Sequence, residues 1–418
     1  MVRTVVDNVR DWSDGAGSSR VLVFGDKAPS AFAAFANGVI ARAVDLGDTH
    51  SHGGHIGEWN VPVLLSGLNM ADHPISGKEL ITAWVAGAEW GVREQVTTHL
   101  QYHTKTMPGE LAGSRFAAVS LAKMLGLTKE QIWAAVGMVF SCHSQSEQQK
   151  YNEGAENVRL QHGFAGTTSV EAVSLARSGV TAIKGVYMGQ GGLLKNIKHG
   201  DLESPGLLTE DLGKRWIWRE ELTMKPYAGC KYNHAPSYGL LSMMKEHGFG
   251  WQDIENAHFT VSAGARCTIE PAGEKWHPVK PSQALFSNPY NTAYTVITGD
   301  CFLEAHTPDV IAARMASPEF QELMPRLTYE VDESLPPFDY FPIKVTLKDG
   351  RVFSKVESSV PGNVNDPMSW EQLESKFWNC TRFSAVDLGK EKYQTIIDLC
   401  RRLEELDDVR VLLDAMMP

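Results

Sequence analysis

From Pro29 to Gly179 one helical pattern follows another, with no run of alternating apolar and polar residues between them. That pattern argues against a parallel sheet built from repeated strand–helix units. Pro29-Ser30 opens an Ala-rich stretch through Val44, with proline suited to a first helical turn. Ser76-Gly77-Lys78-Glu79 has the spacing of a capping box ahead of an apolar run reaching past Arg93. Gly113 to Leu125 forms a third helix, stopped by Gly126, and Thr128 caps a fourth running towards Cys142. Thr167 to Ser178 is a fifth, ended by Gly179.

The middle of the chain changes period. His258 to Ala263 alternates like a half-buried strand, and so does Lys344 to Leu347, which Asp349-Gly350 turns into Arg351-Val352-Phe353 as a hairpin. Helical stretches lie between, at Ser237 to His247 and Asn291 to Ile297. After Pro361-Gly362-Asn363 the chain returns to helix, from Ser369 and again from Lys390 to Met416. The expected fold class is mainly α with an α+β lid. A discontinuous helical domain, residues 1–223 and 362–418, is interrupted by a smaller α+β domain, residues 224–361.

Composition narrows the function. The 418 residues carry 39 basic and 50 acidic side chains, a net charge of −11, with no long basic run. Duplex nucleic acid and anionic membranes are therefore poor partners. No stretch of eighteen apolar residues occurs, so no membrane span is expected. The six cysteines are scattered without a CxxC pair. That argues against a zinc ribbon or redox dithiol and fits a reduced, cytoplasmic setting.

The densest polar cluster is Asp45-Leu46-Gly47-Asp48-Thr49-His50-Ser51-His52-Gly53-Gly54-His55, three histidines and two aspartates at a helix exit. Those residue types suit metal-free proton transfer, with histidine as the proton carrier, and His and Asp also ligate divalent metals. No HExxH spacing accompanies them. Three further segments carry reactive side chains: Gln101 to Thr106 with His103, Met224 to His234 with Lys225, and Ser287 to Tyr294 with Tyr290. Gly189-Gln190-Gly191-Gly192 lacks the lysine of a phosphate loop, and no GxSxG elbow is present.

In order and spacing these segments resemble the MmgE/PrpD family, which includes 2-methylcitrate dehydratase, cis-aconitate decarboxylase and iminodisuccinate epimerase. Asn37-Gly38 leading to Asp45-Leu46-Gly47-Asp48-Thr49-His50 resembles the family's NG and DFDDTH signature. Gly87-Ala88-Glu89-Trp90 with Arg93, Gly163-Phe164-Ala165-Gly166, Lys225-Pro226-Tyr227 with Cys230 and His234, and Asn365-Asp366-Pro367-Met368-Ser369 with Lys376-Phe377 are similar to its later motifs. The sequence departs from the pattern at Gly47, which stands where the family has an aspartate. It departs again after His55, where Ile56-Gly57-Glu58 follows instead of proline. A family lysine has no counterpart, and Arg159 is nearby.

The resemblance implies a cofactor-free homodimeric lyase acting on a small polycarboxylic acid by proton transfer next to a carboxylate. Dehydration of a 2-methylcitrate-like hydroxy acid ranks first. Decarboxylation of a cis-aconitate-like acid and epimerisation of an amino-dicarboxylate are the alternatives. By motif it assigns catalytic roles to Asp45, His55, His103 and Tyr290, and substrate contacts to Thr49 and Lys225. Arg159 is a further candidate for holding substrate carboxylate, because its charge stabilises developing negative charge. Two other classes stay open on the residues alone: a metal-dependent hydrolase using His50, His52 and His55, and a non-catalytic carboxylate binder.

Overall fold

The computed structural model describes residues 1–51, 54–98, 113–142, 155–190, 192–193, 205–336, 340–357 and 362–418. The chain is mostly helical, with a small mixed sheet in its middle third.

The helical part begins with α1 (Val2–Ser13), which the sequence patterns did not bring out. It buries Val5, Val6 and Val9 against α2 (Ser30–Arg42). Pro29 stands just ahead of α2 in extended geometry and serves as its N-cap residue. Helix α2 buries Ala33 through Val39 and crosses α7 (Gln161–Arg177) at backbone contact. A Cβ on Gly38 would stand 2.5 Å from the His162 carbonyl oxygen, and one on Gly163 2.8 Å from that of Phe35. Only glycine permits such an approach, and it brings His162 to the C-terminal end of α2. Asn37 is fully buried and satisfied: it accepts from the Leu22 N–H and donates to the Arg20 carbonyl and Ser66 Oγ.

Helices α3 (Ile56–Gly67), α4 (Gly77–Thr98), α5 (Gly113–Met124) and α6 (Lys129–Cys142) complete this layer. The capping box expected at Ser76 and the N-cap expected at Thr128 are both formed. Ser76 and Glu79 exchange backbone bonds at the start of α4, and Thr128 and Gln131 do so before α6. In α5 almost every residue is buried, which makes it the axis of the layer. Arg93 donates to Glu89 and to the carbonyls of Leu207, Glu210 and Arg215, so its charge is spent on tying down the chain after residue 205.

Short strands do occur in the helical half, contrary to the period analysis. Strand β1 (Asp48–His50) pairs antiparallel with β2 (Leu222–Met224), matching Thr49 with Thr223. Two or three residues are too few to show an alternating pattern.

In the middle third, β3 (Ile254–Ser262) lies between β4 (Leu327–Asp332), parallel to it, and β5 (Phe341–Leu347), antiparallel. The predicted hairpin joins β5 to β6 (Val352–Glu357), with Gly350 at φ +89°. Helices α8 (Lys231–His247) and α9 (Asn288–Thr298) pack together against this sheet around Tyr232, Phe259, Tyr290 and Val345.

The tail forms α10 (Trp370–Thr381), α11 (Lys390–Arg401) and a short helix at Arg410–Ala415. It lies back on the first layer. Gly77 N–H donates to the Leu406 carbonyl and Val409 N–H to that of Ile75, while Val409 and Leu413 join the core containing Leu64, Leu121 and Val173.

Candidate functional site

Asp45 follows α2 in the left-handed region, at φ +49°, which aspartate tolerates better than most residues. Its carboxylate accepts from Arg42, one helical turn earlier, and from Lys225 Nζ at 2.5 Å. Lys225 is fully buried and also donates to the carbonyls of Asp45, at 2.8 Å, and Gly229, at 3.3 Å. The segment carrying it is laced to the 45–47 turn. Lys225 N–H donates to the Gly47 carbonyl, and Gly229 N–H to that of Asp45. Lys376, on α10, donates to the Leu46 and Lys225 carbonyls, so the tail helix clamps both segments.

His55 is the N-cap residue of α3 and is 7% exposed. Its Nδ1 lies 3.0 Å from the Asp48 carbonyl oxygen and its Nε2 3.7 Å from Asp45 Oδ1. A carbonyl only accepts, so Nδ1 carries the hydrogen and neutral His55 presents a lone pair on Nε2. Asp48 accepts the Gly57 N–H on both oxygens and so satisfies a donor of the first turn of α3. Glu58, one turn beyond His55, takes the Gly47 N–H on Oε1 at 3.0 Å and lies 3.3 Å from Arg42 and 3.6 Å from His162. His162 stacks on Trp59, and His55 meets the same indole edge-on.

Burial alone raises a carboxyl, yet Arg42 and Lys225 hold Asp45 well below the usual carboxylate range. Burial, followed by the same two cations, pushes His55 well below its ordinary value, so its ring is neutral near pH 7. Burial lifts Glu58 to about 7 against the pull of Arg42 and Lys225, and raises Asp48 as well. Burial also lowers Lys376 to about 8. The arrangement is an anion held by two cations, beside a neutral imidazole whose free nitrogen can take or return a proton.

The structure thus brings Asp45, His55 and Lys225 together. Thr49 is buried on β1, one residue from Asp48. Arg159 ends a short turn before α7 and is close enough to feel the charges of Arg42 and Asp45. His103 and His52 lie outside the described residues. Tyr290 lies on α9 in the middle third. It is fully buried in the sheet–helix core, and its hydroxyl donates to the Ala305 carbonyl at 2.5 Å. Its proton is held by the backbone, and its ring lies behind His306, at 6.4 Å between centroids. His306 itself feels the charges of Asp45 and Arg159 and is lowered by burial to about 4.

Of the three clustered histidines, His50 and His55 are described. The ring of His50 meets the Ile217 carbonyl at 3.2 Å. Among the described residues the group with metal-ligand spacing is Asp45, His55 and Glu58. A divalent cation there would stand against Arg42 and Lys225, both already on Asp45, which disfavours it electrostatically.

Arg42, Glu58, His162, Lys376 and His306 were given no site role from the sequence, although Lys376 stood in a family-like motif. Two had a usable signal. Arg42 stands three residues before Asp45, and Glu58 three after His55, so each pair shares a helix face or end. His162 and His306 had none, because only long-range packing brings them in.

The chain matches the MmgE/PrpD N-terminal domain over residues 2–204 and the MmgE/PrpD C-terminal domain over residues 227–403. It is 24% identical to a cis-aconitate decarboxylase of Aspergillus terreus, over 96% of this chain and 84% of that protein. It is 25% identical to the human cis-aconitate decarboxylase, over 92% of this chain and 79% of that one. The mouse enzyme of the same name is 24% identical over 92% and 78%. The described residues contain no helix long and apolar enough to cross a membrane. With family matches across nearly its whole length, the chain belongs to the MmgE/PrpD family.

Proposed function

We propose that the protein is a lyase that moves a proton next to a carboxylate of a small polycarboxylic acid, with His55 as proton carrier. The observation that carries this reading is the pairing of the Arg42–Asp45–Lys225 cluster with the free Nε2 of His55. The names of the similar proteins move decarboxylation of a cis-aconitate-like acid ahead of dehydration.

In the decarboxylation, the bond to the leaving carboxyl breaks and carbon dioxide departs. The electron pair moves into the neighbouring carbon–carbon double bond and the carboxylate conjugated with it. His55, neutral in the resting site, takes a proton from solvent on Nε2 and delivers it to the carbon that has gained the electron pair. Asp45, 3.7 Å away, stabilises the imidazolium while it carries that proton. Lys225 and Arg159 supply positive charge for the remaining carboxylates, and Thr49 a hydroxyl. For dehydration the same nitrogen works in reverse: it removes a proton from carbon, and the departing hydroxyl leaves as water once protonated. We also read His103 as a proton carrier of this site, from its motif, and the active form as a homodimer.

Proton NMR in D₂O with a panel of citrate-like, aconitate-like and amino-dicarboxylic acids tests this. The expected result is turnover of an unsaturated tricarboxylate with one deuterium fixed on carbon, abolished by His55→Gln and Asp45→Asn. Turnover that survives both substitutions, or no turnover and no exchange across the panel, would overturn it.

A further inference from the structure

Gly47 leaves a space that Glu58 fills. An ideal Cβ on Gly47 would stand 2.4 Å from Glu58 Oε1 and 2.7 Å from its Cγ. A side chain at position 47 and the present Glu58 conformation exclude each other. The glutamate, reaching back from the first turn of α3, puts its carboxylate where a side chain at 47 would begin and binds the Gly47 N–H.

Glu58 is also the most loosely held of the site's three carboxylates. Asp45 has Arg42 and Lys225 on one oxygen. Asp48 receives the Gly57 N–H on both oxygens. Glu58 has one backbone donor, and its contact with Arg42 is long, at 3.3 Å. The charged and titratable groups around it come from every neighbouring element: Arg42 and Asp45 at the end of α2, and Asp48 on β1. His55 on α3, His162 on α7, Lys225 beside β2 and Lys376 on α10 complete the set.

We propose that Glu58 is the positioning carboxylate of this site, standing in for a side chain at position 47, and that it takes up a proton when a polycarboxylate binds. The second half rests on the reading of the site as a polycarboxylate site. The sign follows from charge. Substrate carboxylates placed beside Arg42 and Lys225 compete for those cations and repel anionic Glu58, which favours its protonated form. Burial already raises Glu58 to about 7, so a fraction of a proton is available for uptake near neutral pH.

Isothermal titration calorimetry with propane-1,2,3-tricarboxylate, in two buffers of different ionisation enthalpy, measures that proton. The wild type is expected to take up a fraction of a proton and Glu58→Gln, which keeps the shape, to bind without uptake. Equal uptake in the two proteins, or binding without uptake in the wild type, overturns the proton role. Absence of binding to the wild type overturns the polycarboxylate reading and the proton role with it. The positional half is tested without ligand by thermal unfolding of Gly47→Asp, Glu58→Ala and the double variant. The double variant is expected to melt above Gly47→Asp, because removing Glu58 frees the space. Additive losses overturn the stand-in.

Discussion

Removing the ammonium of Lys225 tests the centre of the site directly. Lys225 Nζ and Asp45 Oδ1 are 2.5 Å apart, with Lys225 fully buried and Asp45 4% exposed. At an effective dielectric of about 20, two unit charges at that distance attract by roughly 7 kcal/mol. Desolvation of both ions takes back much of that, so the net value of the pair is far smaller. Lys225→Met leaves Asp45 buried with Arg42 as its remaining close cation, and strips a donor from the Asp45 and Gly229 carbonyls. Breaking a buried pair costs about 3–5 kcal/mol, and the retained Arg42 places this case near 3 kcal/mol. Asp45→Asn removes the charge instead and leaves two cations facing each other across a neutral amide. Urea unfolding of both single variants and the double variant yields the coupling. The expected coupling is about 2 kcal/mol or more, with the double variant more stable than the sum of the singles predicts. A coupling below about 1 kcal/mol, the range of a solvent-exposed pair, would refute the reading of this contact as a desolvated ion pair.

Three further outcomes follow from the same geometry. Burial depresses His55, His234 to about 3 and His306 to about 4, so each contributes stability present above its unfolded value near 6.5 and lost as pH falls. Raised Glu58 offsets about one of them in the same window, leaving a net loss of roughly 1–3 kcal/mol per pH unit below about pH 6.5. Urea midpoints that stay flat from neutrality to about pH 5 would contradict it. Gly77→Ala should destabilise by about 2 kcal/mol or more, because its Cβ would stand 1.6 Å from the Leu403 carbonyl oxygen and push the tail off α4. Calorimetry that finds an unchanged midpoint would show the tail is not docked there. Tyr290→Phe should cost about 1 kcal/mol, from the lost bond to the Ala305 carbonyl, while turnover stays within a few-fold. A collapse of turnover at unchanged stability would restore Tyr290 as a proton donor.

Much of the fold could be read in advance where the signal was local. The capping box at Ser76, the helix start at Ser369 and the Asp349-Gly350 turn each depend on residues three or fewer apart, and each is formed. Helix α8 begins at Lys231, six residues before the apolar pattern suggested, because the rigid Lys225–Cys230 segment ends at Cys230 and releases the chain into a helix. Helices α1 and α3 were missed. Val61 stands exposed within α3 while Glu58 and Asn60 are buried, so its polarity contradicts its burial. That inversion occurs because α3 begins inside the site.

The sequence by itself determined the helical class and the strand-bearing middle, since both rest on local period, while Asp45, His55 and Lys225 were marked by the resemblance to a family's motifs. Tertiary structure alone decided which charges meet. Lys225 reaches Asp45 across 180 residues, Lys376 reaches Leu46 across 330, and His162 arrives because two glycines let α2 and α7 touch. It also decided protonation. A carboxylate is an ordinary acid in solution, and only the balance of burial against the cations and anions packed around it makes Asp45 a fixed anion and lifts Glu58 to about 7.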